Sequence, residues 1–403
     1  MNFNLDKFQI QAIDSINKDF NVLVVAPTGS GKTFIAEKAI EKYTKQNQNV
    51  IYTTPIKALS NQKFNDFKNL QIDTGLLTGD RTISPESELI VATTEILRNM
   101  IYSNDKRLKK IGLIVLDEVH YLSDSERGTT WEEIIIHAPK NIKFLCLSAT
   151  IRNKEEFHNW IVSLRGKTSL VYSDIRPVPL EISLVGVNPN NEQLKIIKSS
   201  KDNRNNKIFK FEKQYRKYKR PHLGFQLDYL ESKNLTPSIF FYFSRDRVET
   251  KARQAATNRK KIREANELKE VFNDVFSSLD AFQYEILNLD ELLWMWVRGV
   301  GYHHAGLAPI VKEFVEYLFL NRYIKYLFAT ETLSLGLNLP AKSIVIDKLY
   351  KYDGVKTRLI NQSEFLQLTG RAGRRGIDTK GFAFVNYDRN IENFWYNNLF
   401  TLK

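Results

Sequence analysis

One cysteine, Cys146, stands in 403 residues. That excludes an intramolecular disulfide and any cysteine-clustered metal site, and it fits a reducing cytosolic or nuclear compartment, with the cytoplasm as the expected location. No run of about 18 or more apolar residues occurs, so no membrane helix is expected. The first residues lack a basic patch followed by an apolar core and do not read as a secretory signal peptide. Acidic residues are in the minority, 46 against 59 lysines and arginines, which leaves a net charge of +13 and a pI near 9.4. Such a surplus suits a polyanionic partner, because neutralised phosphates release their counterions. Charge alone leaves ribosomal, membrane-surface and simply soluble proteins open.

What is present is the composition of a soluble globular chain: 42% hydrophobic and 26% charged, with a mean hydropathy of −0.36. The length suits two domains, each with its own core. Short apolar runs at 22–25, 50–52, 89–92, 113–116 and 144–147 alternate with helical patterns, which predicts an α/β fold with a parallel sheet covered on both faces. Arg176-Pro177-Val178-Pro179 breaks the rhythm as an extended connector. A second series of strands follows at 239–243, 299–302, 326–329, 344–346 and 382–385. Two doubly wound halves in tandem are the simplest reading, domain 1 over 1–175 and domain 2 over 176–395. Within the second half, 188–220 is the least globular stretch. Its 201–220 segment carries nine Lys and Arg against two acids, with Phe209, Phe211, Tyr215 and Tyr218 interleaved. Basic residues with aromatics suit a single strand; a solvated insertion is the plainer reading.

Ala26-Pro27-Thr28-Gly29-Ser30-Gly31-Lys32-Thr33 follows an apolar strand and opens a helical pattern, the context a phosphate-binding loop requires. Glycines let backbone N–H groups cradle phosphate oxygens at a helix N-terminus. Lys32 would reach the β- and γ-phosphates and Thr33 would ligate Mg²⁺. At the end of the run 113–116, Asp117 can hold Mg²⁺ through water and Glu118 can polarise the attacking water. Ser148 and Thr150 cap the next run, where hydroxyls could relay the nucleotide state or simply cap a helix. Far downstream lies Gln367-Leu368-Thr369-Gly370-Arg371-Ala372-Gly373-Arg374-Arg375-Gly376. Guanidinium forks bind phosphate in a bidentate way. These arginines stand more than 300 residues beyond Lys32, so touching one ATP requires a site closed across the domain interface. An RNA-binding arginine cluster is the alternative.

With these elements in order, the chain resembles the superfamily-two DExH-box helicases, specifically their superkiller-type RNA helicase branch. Further matching segments are Phe3-Asn4-Leu5-Asp6-Lys7-Phe8-Gln9, Pro55-Ile56-Lys57-Ala58-Leu59-Ser60, Thr78-Gly79-Asp80, Thr93-Thr94-Glu95-Ile96-Leu97, and Arg127-Gly128 with Trp131-Glu132-Glu133. In the second half come Phe243-Ser244-Arg245, His303-His304-Ala305-Gly306-Leu307, and Ala329-Thr330-Glu331-Thr332-Leu333-Ser334 through Gly336-Leu337-Asn338. The resemblance covers residues 3–386. It implies two tandem RecA-like domains of the P-loop NTPase class, ATP and Mg²⁺ as cofactors, ATP hydrolysis, and 3′-to-5′ translocation on a single strand, RNA in preference to DNA.

By the same resemblance Phe3 packs on adenine and Gln9 reads its edge. Thr28, Gly29, Ser30, Gly31, Lys32, Thr33, Gly336 and Asn338 bind nucleotide, with Thr33 and Asp117 holding Mg²⁺. Glu118 acts as general base, and Gln367, Arg371 and Arg374 complete the site. His120, Ser148 and Thr150 couple nucleotide to strand. Pro55, Lys57, Thr93, Thr94, Ser244, Arg245, Thr330 and Thr332 line the nucleic-acid path. His303 and His304 are expected to shape a loop rather than ligate metal, and Trp131, Trp294 and Trp296 to pack. Only 27 residues follow Gly376, too few for the winged helix and helical bundle of such helicases. The chain thus reads as a fragment, a minimal monomeric core, or one relying on accessory subunits, and hydrolysis is better supported than processive unwinding. A DNA translocase of a neighbouring branch and a non-motor nucleic-acid-binding module remain the alternatives.

Overall fold

The computed structural model describes residues 5–123, 128–149, 151, 153–188, 190, 194–198, 200–201, 207–208, 218–334, 339–391 and 396. It divides into two compact units, Met1–Pro177 and Val178–Lys403.

The first unit is built on β1 (Asn21–Val25), β2 (Asn49–Thr54), β3 (Thr74–Leu77), β4 (Thr82–Ile83), β5 (Leu89–Thr93), β6 (Ile111–Leu116), β7 (Lys143–Ser148) and β8 (Thr168–Tyr172). They form one sheet in the order β4-β3-β5-β2-β6-β7-β1-β8, parallel except at the short β4 edge. Every residue of β1, β5 and β6 is buried, as the continuous apolar runs require of strands covered on both faces. The covering helices are α1 (Lys7–Asn17), α2 (Lys32–Lys45), α3 (Lys57–Asn69), α4 (Thr94–Tyr102), α5 (Gly128–His137) and α6 (Lys154–Arg165). Two apolar clusters result, one on each face, the second closed by the fully buried Trp131. Each core Val, Leu or Ile contributes about 1.5–3 kcal/mol by leaving water.

The second unit is built on β9 (Leu180–Val187), β10 (Leu194–Lys198), β11 (Ser238–Phe241), β12 (Val300–His303), β13 (Tyr326–Ala329), β14 (Ser343–Ile346) and β15 (Gly381–Asn386). The order is β10-β9-β15-β14-β11-β13-β12, parallel except for the β9–β10 pair. Its helices are α7 (Leu223–Ser232), α8 (Arg245–Thr257), α9 (Ala265–Phe276), α10 (Ala281–Ile286), α11 (Leu289–Trp296), α12 (Pro309–Leu320) and α13 (Gln362–Thr369). Both units are thus doubly wound α/β sheets of the RecA-like kind. Strand β10 lies inside the stretch that composition marks as least globular, paired antiparallel on the sheet edge. Its neighbouring aromatics Phe209, Phe211 and Tyr215 lie outside the described residues.

Parallel strands put their carboxyl ends on one side of the sheet, where open α/β folds place ligands. In the first unit the registers Thr54↔Thr93, Thr53↔Leu116, Leu116↔Cys146 and Val25↔Ser148 bring five strand ends level. Thr93, Thr54, Asp117, Ser148 and Ala26 therefore stand in that order along one edge.

Candidate nucleotide site and nucleic-acid path

The loop from Ala26 to Gly31 turns β1 into α2. Gly29 and Gly31 have φ of +77° and +88°, left-handed values that L side chains rarely adopt. Space is not the reason at Gly29, where a Cβ would meet nothing within 4 Å. Gly31 is the residue from which α2 starts, so the loop leads directly into the positive end of the helix dipole. Ser30 is buried and Thr28 half-exposed. Lys32 bends back and donates to the carbonyls of Ala26 at 2.9 Å and Pro27 at 3.2 Å. Gln9 braces the loop from below: its Oε1 accepts the Asp6 N–H at 2.9 Å while its Nε2 donates to the Gly31 carbonyl at 3.2 Å. Gln9, to which the resemblance gives a base-reading role, thus lies against the glycine loop; Phe3 lies outside the described residues.

Asp117 follows β6, and its N–H donates to Thr53 O at 3.1 Å. Both carboxylate oxygens are engaged, Oδ1 by the Glu118 N–H at 2.9 Å and Oδ2 by the Tyr52 hydroxyl at 2.5 Å. Burial pushes the Asp117 carboxyl up and the Glu118 charge adds to this, while Lys63, the Tyr52 hydrogen bond and Lys32 oppose it. Glu118 has a φ of +52°, so its side chain leaves the strand end at an angle ordinary backbone does not give. Its Oε2 lies 3.3 Å from His120 Nδ1, which also accepts from the Ala149 N–H at 3.5 Å. Burial lowers the His120 pKa, against the neighbouring Glu118 charge, which raises it. His120 therefore links the acidic turn to the Ser148-Ala149 turn. Ser148 Oγ is buried with no hydrogen-bond partner among the described residues; Thr150 lies outside them.

These groups fit a nucleotide phosphate with a hard divalent cation. A hydroxyl, Thr33, and an oriented carboxylate, Asp117, are oxygen donors of the kind Mg²⁺ takes, with phosphates and water completing its shell. Sequence reading missed two residues here. Lys63 of α3 donates to Thr33 Oγ1 at 3.2 Å and lies 3.7 Å from Asp66, its side chain only 12% exposed. A lysine on an amphipathic helix reads as a solvated face, and Tyr52 in an apolar strand reads as core.

Further along the edge, Pro55, Thr93 and Thr94 are buried and Lys57 is exposed. Lys57 Nζ lies 3.3 Å from Asp80, whose neighbour Thr78 donates to it at 2.8 Å. In the second unit Ser244 caps α8 by accepting from the Arg247 N–H at 3.5 Å, and Arg245 is exposed. A Cβ on Gly306 would meet Arg245 Nη1 at 3.3 Å, so this arginine borders the His303-His304 turn. His303 bonds Glu316 at 2.8 Å and His304 bonds Glu249 at 3.0 Å. Thr330 Oγ1 and Thr332 Oγ1 are 2.8 Å apart at the end of β13. Gly336 and Asn338 lie outside the described residues.

Gln367 lies on α13, which Asn361 and Glu364 start with a reciprocal capping box. Arg371 is buried after the helix end, and its carbonyl accepts the Ala341 N–H at 2.9 Å. Arg374 forms a bidentate pair with Asp378, Nε to Oδ2 at 2.7 Å and Nη2 to Oδ1 at 2.8 Å. Burial opposes ionisation of Asp378, yet the Arg374 hydrogen bonds hold its carboxyl below the usual range. The four-residue spacing was the available signal for this partner.

Residues 6–157 match the DEAD/DEAH box helicase family and residues 271–376 match the helicase conserved C-terminal domain. Among curated proteins the chain is similar to the DExH-box ATP-dependent RNA helicase DExH9 of Arabidopsis thaliana, 39% identical over 97% of this chain and 42% of that protein. It is 37% identical to the exosome RNA helicase MTR4 of Homo sapiens over 96% of this chain and 39% of that protein. It is also 36% identical to the probable helicase HelY of Mycobacterium leprae, over 95% of this chain and 45% of that protein. The chain thus spans about two fifths of the length of the curated relatives it matches. The two helicase domains fall in order on the two sheets, the first of which carries the glycine loop and the acidic turn at its strand ends, and the chain belongs to the DExH-box helicases.

Proposed function

We propose that the chain is an ATP-hydrolysing motor core that moves on single-stranded RNA. The observation that carries this reading is the level edge of the first sheet, with the left-handed glycine loop at one end, Asp117 oriented by two hydrogen bonds in the middle, and the Thr54–Pro55 and Thr93–Thr94 turns at the other. The loop's N–H groups bind phosphate oxygens, and Lys32 leaves its two carbonyl partners for the β- and γ-phosphates. Thr33 and Asp117 hold Mg²⁺, which supplies charge neutralisation on the phosphates. Glu118 orients and deprotonates the attacking water. Gln367, Arg371 and Arg374 of the second unit stabilise the charge that develops on the γ-phosphoryl group, Arg374 after leaving Asp378. His120 reports the state of the acidic turn to Ser148 and Ala149, and Thr150 continues that relay.

Lys57, Thr93, Thr94, Ser244, Arg245, Thr330 and Thr332 hold the strand by its backbone, with Pro55 shaping the turn. RNA is favoured because similar proteins are named RNA helicases. The test is ATP turnover with single-stranded RNA and with DNA of equal length, followed by strand displacement on tailed duplexes of both polarities. Stimulation by RNA and displacement from a 3′ tail are expected; stimulation by DNA alone overturns the RNA assignment. Glu118→Gln is expected to lower turnover by about 10²–10⁴-fold, and unchanged turnover overturns the mechanism.

A further inference from the structure

We propose that Tyr52 is a positioning residue for the metal-binding carboxylate, an inference that rests on the nucleotide reading above. Its hydroxyl donates to Asp117 Oδ2 at 2.5 Å while the Glu118 N–H holds Oδ1 at 2.9 Å. A carboxylate has about four lone-pair sites, so two donors fix its plane and leave further lone pairs for the cation's water shell. The Tyr52 ring is fully buried and meets Phe67 of α3 edge-on, with centroids 5.2 Å apart and planes at 65°. The phenol is thus aimed by packing, not by its own rotamer preference alone. Strand β2 lies beside β6 and holds the start of the Asp117 turn through Thr53 O, so the hydroxyl arrives from the adjacent strand.

The same helix reaches the other oxygen ligand. One turn before Phe67, Lys63 donates to Thr33 Oγ1 at 3.2 Å. Helix α3 therefore braces Asp117 through Tyr52 and Thr33 through Lys63, and it begins at the exposed Lys57. The β2–α3 segment, which resemblance gives a strand-gripping role only, also sets the metal-ligand geometry.

The test is Tyr52→Phe in the full chain, which keeps the ring against Phe67 and removes one hydroxyl. Binding of a fluorescent ATP analogue is measured in EDTA and across a Mg²⁺ titration. Loss of one hydrogen bond to a charged group predicts that about tenfold more Mg²⁺ is needed for half-maximal tightening, with affinity in EDTA unchanged. Phe67→Leu keeps the hydroxyl but loosens its aim, and it should raise the Mg²⁺ requirement by about threefold, less than the loss of the hydroxyl itself. A Mg²⁺ requirement equal to or below that of the parent in Tyr52→Phe overturns the proposal. So does an equal loss in EDTA, which marks a merely structural residue. If Tyr52→Phe fails to fold, the Phe67→Leu titration decides alone. A parent chain whose nucleotide binding ignores Mg²⁺ overturns the nucleotide reading instead.

Discussion

Glu118 differs from the other non-glycine residues with positive φ. Most of those are Asn, Asp or Ser in turns and at helix ends, whereas Glu118 stands two residues past the end of a fully buried strand and carries no local preference for that conformation. Holding a glutamate there costs about 1–3 kcal/mol. Two contacts impose it: the Asp117 N–H on Thr53 O, and the Glu118 N–H on the Asp117 carboxylate. Glu118→Gly should therefore raise stability by about 1 kcal/mol while ending ATP turnover. Thermal unfolding beside an ATPase assay checks this, and a lowered melting temperature would show that the carboxylate's contact with His120 outweighs the backbone strain. Arg374 shows the complementary economy. Its side chain is 13% exposed and already paired with a carboxylate that is 5% exposed, so the charge proposed to meet phosphate is kept from being buried unpaired.

At the scale of elements, what was legible follows from burial on both faces. The apolar run 326–329 is β13 to the residue; most other runs fall inside their strands and miss polar ends such as Asn49, Lys143 and Asn386, while 239–243 overruns the end of β11 and 299–302 starts one residue before β12. Those ends leave the apolar pattern yet still pair, Lys143 and Asn386 in register and Asn49 across a register shift. Strands β3 and β8 went unread because Thr74-Gly75-Leu76-Leu77 is short and Thr168–Tyr172 is half-exposed at the sheet edge. The motifs between residues 26 and 148 were legible because each sits at a strand end; Tyr52 and Lys63 were not, because their roles depend on which element lies alongside. Gly381, the first residue of β15, illustrates such a dependence. A Cβ there would fall 2.6 Å from the backbone of Ala372 and 2.7 Å from Gly373 N. Backbone cannot swing aside as a side chain can, so Gly381→Ala must push the arginine segment away from the sheet, at about 1–3 kcal/mol. ATP turnover should fall further than stability, with nucleotide affinity held by the first unit nearly unchanged. Equal loss of turnover and of folded protein would instead make Gly381 a packing residue only.

For the molecule as a whole, the surplus of 13 positive charges does not map onto the proposed strand path. That path is made of a proline, five hydroxyl residues and only two cations, Lys57 and Arg245, both exposed. Lys57 already lies 3.3 Å from Asp80, an exposed pair of the sort that contributes little to stability and yields readily to a phosphate. Each phosphate neutralised on a single strand adds roughly 0.7 to the slope of log affinity against log salt. If the path alone binds, the two cations set a slope near −1.4 by the same rule. The double variant Lys57→Ala, Arg245→Ala should then bind with almost no salt dependence and lose affinity equally for every sequence, since backbone contacts do not read bases. The prediction is a parent slope clearly steeper than about −1.4, of which the double variant removes only about that share. The remainder belongs to cations elsewhere, and the nine Lys and Arg of 201–220 are the densest source on the chain. Replacing Lys207, Lys210, Lys213 and Lys217 by Gln should then flatten the slope by up to about 2.8, and a slope unmoved by those four changes would return the stretch to a solvated insertion with no part in binding.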